Sequence, residues 1–167
     1  RLQRGGLKDV TTLDKQVVLD CVRDAWDNPL QVASAAGRPR TADDGPLVTK
    51  VVVFEEKHED GTKHFHVAVL LSRQMRFAKC KETLLERHGL VAHFSCSHTQ
   101  WWSAVRYGTQ SEKKRVDPDP LRWVPQGHAP IDLFEDSQQP FCASAWRVRR
   151  EQKDIDAAAE GGVQPVH

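Results

Sequence analysis

At 167 residues, with 28% charged and 39% hydrophobic side chains, the chain has the make-up of one domain large enough to bury a core. A net charge of +1 excludes nucleic-acid binding by bulk positive charge, and no apolar run approaches membrane-spanning length. The four scattered cysteines form no CxxC pair, which excludes a disulfide framework and fits reduced thiols inside a cell.

The chain opens Arg1-Leu2-Gln3-Arg4 with neither an initiator Met nor a secretory pattern, as expected of a piece of a longer protein. Leu7 to Leu13 carries β-branched residues and is expected to form a first strand. Asp14 then has the chemistry of a helix N-cap, and Val17, Val18, Cys21, Val22 and Trp26 repeat at helical spacing as far as Asn28-Pro29. Residues 31–46 are rich in Ala, Gly, Pro, Arg and Asp without any period, and are expected to be a loop insertion. Leu47 to Glu56 is a strand whose unbroken Val51-Val52-Val53-Phe54 run predicts a central position, buried on both faces. His58-Glu59-Asp60-Gly61 supplies a turn, and Lys63 to Leu71 returns as the second arm of a β-hairpin. Phe77 to His88 reads as an amphipathic helix closed by Gly89. Leu90 to Ser95 is expected to be a further strand. Ser97 or Thr99 would cap the next helix, which runs through Trp101, Trp102, Ala104 and Val105 to Tyr107. Asp117-Pro118-Asp119-Pro120 breaks the chain before a last strand at Leu121 to Val124. The order predicts an α+β fold, with a central antiparallel β-sheet of about five strands flanked by helices. It would occupy residues 1–150, and 151–167 would be a flexible tail or linker.

Within the hairpin, His64 and His66 stand at i and i+2, so both imidazoles leave one face of the strand while Phe65, Val67 and Val69 leave the other. Two imidazoles on a rigid surface make half of a metal site. The hairpin brings back Glu56 as a carboxylate on the same face, with His58 in the turn as an alternative. Such a mixed set suits Mn²⁺ or Mg²⁺, and zinc remains compatible with it. The plain alternative is three polar residues on a solvated sheet face. A cupin-like site would require its carboxylate soon after the pair, where this chain has Val67-Ala68-Val69-Leu70-Leu71. A second set, Cys80 and Cys96 with His93 and His98, lacks the paired spacing of a zinc site. Basic residues cluster at Arg73, Arg76, Lys79 and Lys81, at Lys113, Lys114 and Arg115, and at Arg147, Arg149 and Arg150. Such clusters are ordinarily solvated faces unless they flank a phosphate-handling site.

The run Glu56-x-His58-Glu59-Asp60-Gly61-x-x-His64-x-His66-Val67 resembles the second motif of the HUH endonuclease superfamily. The likeness is to the single-tyrosine Rep nucleases of circular single-stranded DNA viruses, and in outline to the Replitron-type transposases of eukaryotes. It spans roughly Leu7 to Val124. The resemblance implies a Rep-type HUH nuclease fold, metal ligands at Glu56, His64 and His66, and a catalytic tyrosine on the helix after the fourth strand. Tyr107, the sole tyrosine, occupies that place. The family pattern has a lysine three residues after the tyrosine; here Gln110 stands there, and Lys114 would return at i+7 if the helix continued. The family's first motif is not evident in Lys8-Asp9-Val10-Thr11-Thr12-Leu13.

The implied activity is metal-dependent nicking and joining of single-stranded DNA through a 5′-phosphotyrosine, initiating rolling-circle replication or transposition. Gln110 or Lys114 would position the phosphate. Arg73, Arg76, Lys79, Lys81 and Lys113 would track DNA phosphates, and an exposed tryptophan would stack on bases. The resemblance further implies a single-stranded or hairpin DNA partner, a helicase domain in the full-length chain, and a location in the nucleus or the host replication compartment. The competing expectation, favoured by Gln110, is a non-catalytic single-stranded DNA-binding domain of the same fold.

Overall fold

The computed structural model describes residues 6–30, 46–57, 60–95, 98–110 and 116–140. The insertion at 31–46 (all but Pro46), the alternative ligand His58, and the basic residues Lys113, Lys114, Arg115, Arg147, Arg149 and Arg150 lie outside them, as does the expected tail. Among the described residues the fold is α+β, a three-stranded antiparallel sheet with four α-helices: α1 (Lys15–Asp27), β1 (Val48–Lys57), β2 (Lys63–Leu71), α2 (Ala78–His88), α3 (Trp101–Thr109), β3 (Leu121–Trp123) and α4 (Leu133–Asp136). No helix among these residues is long and apolar enough to cross a membrane.

Local chemistry explains several boundaries. The Asp14 carboxylate accepts a hydrogen bond from the Val17 N–H at 2.9 Å, satisfying one of the donors that α1 leaves open at its start. Gly89 ends α2 at φ 66°, a left-handed conformation that costs glycine nothing and other residues about 1 kcal/mol. In the hairpin turn the Asp60 carboxylate accepts from the Thr62 N–H at 2.8 Å, while Gly61 takes φ 86°.

The sheet order is β2-β1-β3, so β1 is central, as its unbroken apolar run predicts. Strand alternation sorts its side chains into two cores. Val51 and Val53 join Val18, Leu19, Val22 and Ala25 of α1 and Cys80 and Leu84 of α2, with Phe65, Val67 and Val69 of β2 packed against them. Val52, Phe54 and Ala68 face the opposite way and pack with Val105 of α3 and Ile131. Burial pushes the Cys80 thiol up to about 12, which makes it an inert core group.

Two expected strands do not form. Leu7 to Leu13 instead contains a 3₁₀ turn at Val10–Thr12. Asp9 accepts hydrogen bonds from both the N–H and the hydroxyl of Thr11, a local bond that competes with a ladder. The Lys8 N–H goes to the Gly89 carbonyl rather than to a strand. Leu90 to Ser95 keeps the inward-outward alternation of a strand, with Leu90, Ala92 and Phe94 toward the core, yet joins no ladder. Its period reports a buried face and not a pairing partner.

Asp117, in the segment expected only to break the chain, ties the layers together. Its carboxylate, 4% exposed, accepts from Lys15 of α1 at 2.9 Å and from the Glu55 N–H of β1 at 2.8 Å. Burial opposes its ionisation, but the hydrogen bonds from Glu55, Lys15 and Asp119 outweigh that and hold its carboxyl below the usual range. Asp117→Asn is therefore expected to lower stability by about 2–4 kcal/mol at pH 7, read from urea unfolding. Because the folded-state pKa lies below that of the unfolded chain, the stabilisation is complete above the ordinary aspartate range and is lost as pH falls below about 4. The variant and the parent should accordingly converge in acid; a difference that persists there would place the effect in packing instead.

Candidate metal centre

The hairpin register decides which residues meet. Glu56 pairs with His64 and Phe54 with His66, so these four side chains share the face that α3 covers. Glu55 pairs with Phe65 and belongs to the opposite face. Glu56, His64 and His66 converge, half-buried, with their potential ligand atoms within 4.8 Å of one another, and they form the one such group among the described residues. The Nε2 of His66 lies 2.7 Å and that of His64 3.2 Å from the same Glu56 carboxylate oxygen, and the two Nε2 atoms are 2.9 Å apart.

Hydrogen bonding alone does not satisfy this triangle. Each Nε2 has a single in-plane position, occupied either by a proton or by a lone pair. With both protonated toward Glu56, two N–H groups face each other. With His64 donating to His66, the His66 nitrogen has no proton left for the carboxylate. A cation facing three lone pairs satisfies all three contacts together, so the residues present fit a metal ion.

Tyr107 stands beside this group. α3 lays it over the sheet, with its ring centroid 5.2 Å from that of His66 and nearly perpendicular to it. The close approach depends on the next residue. A Cβ at Gly108 would lie 2.5 Å from ring carbons of Phe54, the residue paired with His66. Gly108→Ala is thus expected to destabilise by about 1–3 kcal/mol through overpacking, although alanine is by itself the better helix former by about 1 kcal/mol. Urea midpoints of Gly108→Ala, Phe54→Leu and the double variant check this: the two losses should be less than additive, and strict additivity would remove the steric explanation.

α3 is anchored by its first turn. The Trp101 indole N–H donates to Asp136 at 2.7 Å, and Lys50 of β1 reaches the same carboxylate oxygen at 2.7 Å. Burial opposes ionisation of Asp136, and these two partners more than compensate, holding its carboxyl below the usual range. Trp101 is thereby packed, partly buried, against the second core. The helix begins after Gln100, without the expected cap from Thr99; Ser97 lies outside the described residues.

Other expected site residues are arranged differently. α3 ends at Thr109, and Gln110 is exposed and extended at ψ 116°; Lys114 lies outside the described residues. Arg73, Arg76, Lys79 and Lys81 are exposed, but they follow the far end of β2. The five residue steps from His66 to Leu71 put the end of β2 roughly 16 Å of strand beyond the triad. A residue beside the site that the sequence did not single out is Arg106, exposed next to Tyr107 on α3; Lys57, next to Glu56, leaves the other face of the sheet with Glu55, whose carboxylate is 3.7 Å away. Arg106 carries the charge expected near phosphates, but only tertiary placement separates it from the other 23 Lys and Arg side chains of the 24 in the chain.

The fold and site together define an α+β protein with a His₂Glu metal-binding geometry on one sheet face and a tyrosine against it. Comparison with family models, with curated proteins and with solved structures returns no match to this chain.

Proposed function

We propose that this chain is a metal-dependent single-stranded DNA nickase and strand transferase of the Rep-type HUH kind, acting through Tyr107. The observation that carries the reading is the placement of the sole tyrosine 5.2 Å, ring to ring, from a histidine of the Glu56–His64–His66 group. The mixed imidazole and carboxylate set suits Mn²⁺ or Mg²⁺ and is compatible with zinc. Such an ion, when bound, supplies charge stabilisation to a phosphate in displacement.

The chain's own residues do the rest. Tyr107 Oη forms a bond to phosphorus while the bond from phosphorus to the 3′-oxygen breaks. The phenol proton leaves to solvent, and the departing oxygen takes up a proton to become a free 3′-hydroxyl. The 5′-phosphotyrosine conserves a phosphodiester, so attack by a 3′-hydroxyl reverses the step and rejoins strands without ATP. Arg106, exposed on α3 next to Tyr107, would hold a flanking phosphate.

Incubation with a pool of single-stranded oligonucleotides and Mn²⁺, resolved on a denaturing gel, tests the reading. The expected result is a covalent protein–DNA adduct that EDTA prevents and that duplex DNA does not give. Gln110, standing where the family has a lysine, favours the second reading of a binding domain without chemistry. That domain would retard the oligonucleotides on a native gel and give no adduct.

A further inference from the structure

The phenol of Tyr107 is contacted by a second imidazole that takes no part in the metal group. The His98 ring centroid is 4.7 Å from that of Tyr107, with the planes tilted by 39°. His98 precedes α3 in a stretch without regular structure, and its ring is nevertheless held: Nδ1 lies 2.9 Å from the Ser103 hydroxyl. Ser103 is four residues before Tyr107, so the two side chains stand one above the other on the same face of α3. A side chain that bonds to the first of them is carried directly over the second.

We propose that His98 is a positioning residue for Tyr107: tethered by Ser103, its imidazole packs on the phenol and keeps it against His66. The inference rests on the reading of Tyr107 as the nucleophile. Tyr107 lies third from the end of a nine-residue helix, in its last turn. A phenol on a helix chooses between χ1 wells at about 180° and about −60°, since the third would drive it into the preceding turn. Contacts with His66 on one side and His98 on the other restrict that choice before substrate arrives. Displacement of a reacting group by about 1 Å costs a reaction of this kind up to ~100-fold. Without His98 the phenol is free to leave, whereas the metal group, built on the hairpin, stays intact.

Because Tyr107 is the sole tyrosine, 3-fluorotyrosine labelling gives a single ¹⁹F resonance that reports its surroundings without reference to activity. In metal-free protein, His98→Ala is expected to move that resonance toward the position of free 3-fluorotyrosine. Adduct formation in Mn²⁺ should slow by about 10–100-fold, with affinities for Mn²⁺ and for single-stranded DNA unchanged. His98→Phe, which keeps a ring over the phenol, should restore most of both signals. Ser103→Ala, which removes only the tether, should fall between and guards against a folding failure of the alanine variant. A resonance that does not move in His98→Ala, or an adduct formed at the parental rate, overturns the proposal. If the unaltered chain forms no adduct, the nickase reading fails instead, and the ¹⁹F shift alone decides the role of His98.

Discussion

Tyr107→Phe is expected to abolish the covalent protein–DNA adduct, by at least ~10³-fold, while single-stranded DNA binding persists. The substitution removes one oxygen and leaves the ring that contacts His66 and His98, so packing and fold are retained. No other phenol exists in the chain to take over the attack. The pair of measurements needed is a denaturing gel for the adduct and a native gel for binding, from one preparation. An adduct of undiminished yield in this variant would show that another group attacks phosphorus and would sink the proposed chemistry. Loss of binding together with the adduct would assign Tyr107 to DNA recognition rather than to displacement.

The second large effect is expected at the histidines. His64→Ala combined with His66→Ala leaves Glu56 as a lone carboxylate, one ligand of three. Metal affinity should fall by more than ~100-fold, since even changes outside the ligand set cost 10–100-fold in such sites. Titration calorimetry with Mn²⁺ reads this directly. Thermal unfolding reads it a second way: Mn²⁺ should raise the melting temperature of the parent chain and leave that of the double variant where it was. Metal-dependent cleavage should vanish as well. The side chains are about one-third exposed, so their removal from the metal-free protein should change stability little. Cleavage that survives the double substitution would place the ion elsewhere.

How far the site could be read ahead of the fold follows from the range of the forces involved. The metal group was legible because a hairpin is local: the Asp60-Gly61 turn and the two-residue alternation bring Glu56 back to His64 within nine residues. The same locality made Asp14, Gly89 and the central place of Val51 to Phe54 legible. The strand expected at Leu7 to Leu13 from its β-branched residues gives way to the local Asp9–Thr11 hydrogen bonds, and at Leu90 to Ser95 alternation marks a buried face without supplying a ladder partner. The helix expected to run past Tyr107 ends at Thr109, and Lys114 lies outside the described residues. Trp101 became a structural anchor because Asp136, 35 residues away in sequence, accepts its indole N–H.

By itself, then, the sequence determined an α+β chain with a hairpin carrying two histidines and a glutamate on one face, and a single tyrosine on a later helix. Those features rest on turn chemistry, caps and side-chain period, each set within a few residues. Only the tertiary structure decided that the tyrosine meets the histidines. That meeting needs α3 to settle against Phe54 with no Cβ at Gly108 in the way, Asp136 to hold its first turn, and His98 to arrive from outside the helix. The first two are contacts between residues far apart along the chain, where packing volume and hydrogen-bond geometry, rather than local preference, choose the partner.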